Sequence, residues 1–305
     1  MRAVLLFSGQ GAQAVGMGRD LAEQNPAAAA MLERANEVLG FDLAKVMFEG
    51  PIEELTRTSR CQPALYVHGL MLLDLVRERV PGLEPTAAAG LSLGEFTAHA
   101  AAGTFSFETG LQLVARRGAF MEEACAATAG GMAAMIGGEE DAIRALAAEC
   151  GVEVANLNAP GQIVLSGPAE GIRKALAAAQ ERELCAAKEL TVAGAYHSRL
   201  MQPAQDQLAA ELAGVELHPP RFPVYSNFLA APVSDPAEIR SSLERQVTGS
   251  VRWAGSMDRI LEAGNDDFLE LGPGKVLAGL MRRIRRGTKV ISIGSAEDLE
   301  KLAAR

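Results

Sequence analysis

Cysteine, long apolar runs and net positive charge are all in short supply in this 305-residue chain. Its four cysteines, Cys61, Cys125, Cys150 and Cys185, are scattered without C-x-x-C spacing or a histidine close by. That excludes a zinc site or a disulfide framework as the organising device, so no metal is expected and a reducing cytoplasm fits. The first apolar run, Ala3-Val4-Leu5-Leu6-Phe7, is too short for the apolar region of a signal peptide and far too short for a bilayer. It reads as a buried first strand. A formal net charge of -9 argues against nucleic acid or an anionic membrane as partner. The local exception is Met281-Arg282-Arg283-Ile284-Arg285-Arg286, which suits either a solvated helix C-terminus or a surface that meets an acidic partner. Repeats and low-complexity tracts are absent.

What is present, at 49% hydrophobic and 22% charged residues, is the composition of a soluble globular chain with room for one large α/β domain or two domains sharing a crevice. Its organising stretch is Gly90-Leu91-Ser92-Leu93-Gly94. A serine between two glycines, after small apolar residues and before a helical pattern, reads as a nucleophile elbow: a sharp strand-to-helix turn that lifts the hydroxyl over the first free N–H groups of a helix. The first strand ends in another glycine-rich turn, Ser8-Gly9-Gln10-Gly11-Ala12-Gln13. Without a third glycine at the right place it is not a dinucleotide fingerprint.

Periodicity places helices over 17–39, 52–55, from Gln62 through Val76, over 93–101 and over 107–125. Arg116 and Arg117 sit in the last of these and point in different directions, so at most one faces an interior site. From about Gly130 the rhythm becomes β-α-β-β-α-β: strands near 132–136, 152–157, 162–166 and 187–192, helices near 141–150 and 169–182. That is the split βαβ, ferredoxin-like order, and it reads as an insertion forming one wall of a cleft. The expected division is 1–127 with 195–305 as the main α/β domain and 128–194 as the small one. Directly after the insertion comes Gly194-Ala195-Tyr196-His197-Ser198. His197 is the one histidine at a strand-to-helix junction, where open α/β sheets place their sites and where a general base for a serine would stand. His68 and His99 fall inside helices. Strands near 223–227, 268–271 and 290–293 and helices near 236–246 and 276–284 complete the pattern.

Over nearly its whole length the chain resembles the malonyl-CoA:acyl carrier protein transacylases of fatty acid synthesis and the related acyltransferases of polyketide synthesis. The segments that carry the resemblance are Gly9-Gln10-Gly11-Ala12-Gln13, Gln62-Pro63-Ala64, Gly90-x-Ser92-Leu93-Gly94-Glu95, Arg117-Gly118 and Asn156-x-Asn158-x-Pro160-x-Gln162, followed by Gly194-Ala195-Tyr196-His197-Ser198, Tyr225-Ser226-Asn227, Gln246, Val251-Arg252-Trp253 and Gly272-Pro273-Gly274-Lys275. It implies an α/β-hydrolase-like core with a parallel sheet and an inserted ferredoxin-like subdomain.

The resemblance also implies roles. Ser92 would take the malonyl group from coenzyme A as an ester and yield it to the phosphopantetheine thiol of an acidic, holo acyl carrier protein. His197 would be the base, its other nitrogen held by a backbone carbonyl near Gln246 in place of a carboxylate. Gln10 and the N–H of Leu93 would form the oxyanion hole. Arg117 would pair with the malonyl carboxylate, with Asn158 and Gln246 as further substrate-site positions. No cofactor is bound permanently, the coenzyme A thioester being substrate, and the expected location is cytoplasmic. Two positions depart from the family: Leu91 replaces its usual histidine, as in some trans-acting polyketide acyltransferases, and Tyr196 replaces the commoner phenylalanine. A serine hydrolase or thioesterase sharing the elbow is the alternative, against which Arg117 and the 9–13 loop argue.

Overall fold

The strand Arg2–Phe7 (β1) is buried on both faces, because its alternating side chains serve two cores: Leu5 and Phe7 belong to one, Val4 and Leu6 to the other. A strand apolar and buried from Ala3 to Phe7 belongs inside a parallel sheet covered by helices on each side. In the computed structural model, which describes residues 1–303, β1 pairs in parallel with Glu84–Gly90 (β2) and with Asp267–Leu271 (β9). Beyond them lie Lys289–Ile293 (β10) on one side and Val224–Ser226 (β7) with antiparallel Ala231–Val233 (β8) on the other, giving the order β10-β9-β1-β2-β7-β8. The chain steps from β1 to β2 in one direction and later returns to β9 on the other side. The carboxyl ends of β1 and β2 therefore open beside a topological switch point, where α/β sheets place their ligands.

The helices Thr58–Arg79 and Phe107–Ala127 pack on the Leu5 face, and Trp253–Glu262 with Val276–Ile284 on the Val4 face. No helix among the described residues is long and apolar enough to cross a membrane.

A separate antiparallel sheet is formed by Gly130–Ile136 (β3), Glu153–Ala159 (β4), Gln162–Pro168 (β5) and Ala186–Glu189 (β6), in the order β4-β5-β3-β6. Its two helices, Glu140–Cys150 and Ala169–Glu181, bury Ile143, Leu146, Ile172 and Ala175 in a core of their own. The edge strand β4 is hooked to the rest of the chain at Val251, which accepts from the Leu157 N–H at 2.9 Å and donates to the Ala155 carbonyl at 2.8 Å. This anchorage turns β4 toward the mouth of the main sheet.

Two expected elements differ. The helix expected over 17–39 is two helices, Arg19–Gln24 and Pro26–Leu39. Asn25 is extended and its side chain accepts from the Ala27 and Ala28 N–H groups, so Asn25-Pro26 acts as an N-cap with proline at the first helical position. The strand expected over 187–192 is only Ala186–Glu189, and residues 190–193 bend away to form cavity wall.

Candidate active site

The elbow is built where three backbone segments touch. A Cβ placed on Gly90 would stand 1.9 Å from the Gly94 carbonyl, and one on Gly94 would stand 2.3 Å from the Phe7 carbonyl. Only glycine lets β2 turn into the Leu93–Ala102 helix while that helix rests on the end of β1. Ser92 takes the strain of the turn, at φ 54° and ψ -107°. Its N–H is held by Asn227 Oδ1 at 2.6 Å, and Asn227 Nδ2 donates to the Gly90 carbonyl at 2.8 Å, so one side chain clamps both ends of the turn.

Ser92 Oγ lies 2.8 Å from His197 Nε2, and His197 Nδ1 lies 2.8 Å from the Gln246 carbonyl. A carbonyl can only accept, so Nδ1 carries the proton and Nε2 presents its lone pair to the serine. Burial pushes the imidazole down to about 4; the Arg117 charge adds to this and the Gln246 carbonyl opposes it. At neutral pH the ring is therefore an unprotonated base.

Arg117 is 1% exposed, whereas Arg116 beside it is exposed and pairs with Glu211. The Arg117 guanidinium donates to Gln62 Oε1 at 2.8 Å, to Gln246 Oε1 at 2.8 Å and to Ser92 Oγ at 3.0 Å. All three acceptors are neutral, and Nε has no partner. Burial lowers its pKa to about 10, with Glu95 opposing, so the group stays charged at neutral pH. A buried guanidinium without a bonded carboxylate is poised for an anion. Because it donates to Ser92 Oγ, the serine's own proton is left to point at His197.

These groups face a cavity of about 470 Å³ whose walls include Gln10, Leu91, Leu93, Met121, Asn158 and Tyr196. Asn158 stands where the β4–β5 register shifts, a bulge that re-aims a side chain, and its Oδ1 is buried without a partner. Neither the Gln10 nor the Leu93 backbone N–H has a hydrogen-bond acceptor among the described residues. Leu91 packs on the Trp253 core and shows part of its surface to the cavity. The Tyr196 hydroxyl is turned to Thr58 Oγ1 at 2.7 Å.

Of the residues singled out in the sequence, Ser92, His197, Arg117, Gln10, Leu93 and Asn158 converge on this cavity. Gln246 is not in its wall: it is fully buried behind Arg117 and His197 and touches both. Sequence reasoning named Gln62, Glu95 and Asn227 only as members of the segments that carry the resemblance and gave them no role.

The arrangement can present a deprotonated serine oxygen to an electrophile with a fixed cation alongside. Its relatives agree with that chemistry. The acyl transferase domain model matches residues 4–299. The malonyl CoA-acyl carrier protein transacylase of Bacillus subtilis (strain 168) is 40% identical over 304 residues, covering 98% of this chain and 95% of the relative. The polyketide biosynthesis protein ThaF of Burkholderia thailandensis is 41% identical over 282 residues, covering 92% of this chain but 24% of ThaF. A solved structure, the malonyl CoA-acyl carrier protein transacylase of Coxiella burnetii, superposes with a TM-score of 0.95 at 34% identity, covering 100% of this chain and 98% of that one. With a family model matched over nearly its whole length and relatives of this identity, the chain belongs to the acyl transferase domain family.

Proposed function

We propose that the chain transfers a malonyl group from malonyl-CoA to the phosphopantetheine thiol of an acyl carrier protein, through a malonyl ester on Ser92. The observation that carries the substrate choice is the buried Arg117 guanidinium, bonded to neutral acceptors alone and 3.0 Å from Ser92 Oγ. It fits an acyl group ending in a carboxylate, which can accept two parallel N–H bonds.

In this reading His197 Nε2 takes the serine proton as Oγ attacks the thioester carbonyl. The N–H groups of Gln10 and Leu93 hold the oxyanion; each such donor is worth about 2.7–4 kcal/mol in the transition state. Collapse expels the coenzyme A thiolate, which receives the proton from His197. The carrier thiol then gives its proton to His197 and attacks the ester carbonyl; collapse transfers the malonyl group to the thiol and releases Ser92 Oγ, which takes the proton back from His197. The Gln246 carbonyl fixes the tautomer for both halves, so a dyad suffices without a carboxylate. Asn158 lines the same pocket, and no permanently bound cofactor has a role.

The finer architecture belongs to the same reading: a hydrolase-like core of 1–127 with 195–305, and a ferredoxin-like subdomain of 128–194 forming the far wall. So does a cytoplasmic setting with an acidic carrier protein as partner. The pathway is fatty acid synthesis. The likeness to ThaF, together with Leu91, favours as second reading the same transfer to polyketide carrier proteins, distinguished by comparing the two kinds of carrier as acceptor.

The test is intact-mass analysis after mixing with malonyl-CoA. A malonyl adduct should form, discharge on adding holo carrier protein, and be missing from Ser92→Ala. An adduct that persists in Ser92→Ala, or release of free malonate at the same rate with and without carrier, would rule the reading out.

A further inference from the structure

Gln246 faces Arg117 through its side chain and His197 through its backbone, so the direction of its amide matters. Arg117 offers only donors and the Ser92 carbonyl only accepts, so Oε1 must face the guanidinium and Nε2 the carbonyl, which it meets at 3.0 Å. A second acceptor holds Nε2 in that direction: Glu95 Oε2, at 2.6 Å. The same oxygen accepts from the Asn227 N–H at 2.9 Å. Glu95 is thus joined both to the residue that clamps the elbow and to the one that supports Arg117 and His197. It is fully buried and does not line the cavity.

We propose that Glu95 is a positioning residue of the transfer reaction: its Oε2 fixes the Gln246 amide in the one orientation that turns an acceptor toward Arg117, and thereby sets where the guanidinium meets the acyl carboxylate. The inference rests on the malonyl reading of the site. Turned the other way, the amide would point a donor at a guanidinium that can only donate, and Arg117 would lose one of its three acceptors. Oε2 takes both bonds whichever protonation state the carboxyl is in, since a proton can sit on Oε1, which has no partner. What the position must supply is therefore an acceptor, and its charge is dispensable. Burial pushes the carboxyl up to about 7, against its hydrogen bonds to Asn227 and Gln246, so both states occur near neutrality.

The experiment compares kcat/KM for Ser92 acylation by malonyl-CoA and by acetyl-CoA. Glu95→Met keeps the chain length and loses the acceptor, and its malonyl-to-acetyl ratio should fall by about tenfold or more, the scale on which loss of a supporting hydrogen bond acts. Glu95→Gln keeps an oxygen for Gln246 and Asn227, and its ratio should stay close to that of the unaltered protein. Should the methionine variant not fold, Glu95→Ala removes the acceptor without adding apolar atoms and is read in the same way. An acceptor-free variant with an unchanged ratio overturns the proposal. A ratio in Glu95→Gln reduced as far as in Glu95→Met overturns it too, because the effect would then belong to the charge. If the unaltered protein takes no malonyl group on Ser92, it is the parent reading that fails.

Discussion

Arg117 Nη2 touches the nucleophile and its support at once: Ser92 Oγ at 3.0 Å and Gln246 Oε1 at 2.8 Å. In the proposed reading, a cation bonded to the serine oxygen has two duties, to stabilise the developing alkoxide and to meet the substrate's carboxylate. The two duties separate in Arg117→Ala. Losing one member of a buried charge pair costs about 2–5 kcal/mol, so malonyl acylation should fall by roughly 30-fold or more. Acetyl acylation, which loses only the contact to the alkoxide, should fall far less. Equal losses for both thioesters, measured as single-turnover labelling of Ser92, would remove the anion-reading role.

His197 sets the pH dependence. Its pKa is held at about 4 by burial, aided by the Arg117 charge, so the base is free of its proton at all higher pH. Acylation should therefore be flat down to about pH 5 and decline below it, with no inflection near the ordinary histidine value. The stability term has the matching sign. The unfolded chain takes up this proton near 6.5 while the folded chain resists until about 4, so the group's contribution is complete above 6.5 and is lost as pH falls through that window. Rapid-quench labelling across pH, over the range where circular dichroism shows the fold intact, checks the first; because burial also lowers the His68 and His99 pKa values, the second is checked by a denaturation midpoint that drops less from pH 6.5 to 4 in His197→Gln than in the unaltered protein.

Tyr196 has one hydroxyl more than the phenylalanine the resemblance leads one to expect, and that hydroxyl is bonded to Thr58 at 2.7 Å. It therefore belongs to the packing between the 194–198 segment and the start of the Thr58–Arg79 helix. Tyr196→Phe should leave the preference for malonyl-CoA over methylmalonyl-CoA in place and cost about 1 kcal/mol of stability, the usual net value of such a bond. A changed extender preference, read by competition of the two thioesters for Ser92, would show that the hydroxyl faces substrate.

How much of this was legible in the sequence depends on whether a signal is local. The elbow was, because Gly90, Ser92 and Gly94 meet a steric demand within five residues. The β-α-β-β-α-β order was too, since each period fits its own strand or helix. Arg117 could be chosen over Arg116 by resemblance alone, because a helix face becomes interior only when its neighbours are known. The roles of Asn227 and Glu95, named only within motifs, were hidden for the same reason: their contacts with Ser92 and Gln246 are 135 and 151 residues away in sequence. The three-residue strand β8 and the helices Leu43–Glu49 and Ala296–Ala303 were too short to display a period.

The elbow itself predicts an intolerance. A methyl group on Gly90 would overlap the Gly94 carbonyl carbon and oxygen at 1.9 Å, and both are backbone atoms that cannot swing aside. Gly90→Ala should destabilise by about 3 kcal/mol or more, at the upper end for overpacking, or yield no folded protein. Gly279→Ala, at a helical position with open space, should be neutral or slightly stabilising. Urea denaturation of the two variants side by side makes the comparison, and similar midpoints would contradict the close-packed turn.

The basic run at 282–286 is a helix end, as its spacing suggested, yet its cations gather with Lys275 around a groove of about 880 Å³ that also includes Pro160 and Gln162. Gln162 opens β5, the strand paired with the β4 that carries Asn158, so the groove and the cavity both draw on the small sheet. A carrier protein with an acidic face would find its charge complement there. Reversing two exposed charges, Arg283→Glu with Arg286→Glu, should raise KM for the carrier protein by about tenfold at low salt and less at high salt, where screening already weakens the attraction. Labelling of Ser92 by malonyl-CoA should be unaffected, because the paired thioester half-reaction does not use the carrier. Steady-state transfer at two ionic strengths decides it: an unchanged KM would move the docking surface elsewhere, and a slowed half-reaction would assign these arginines to coenzyme A instead.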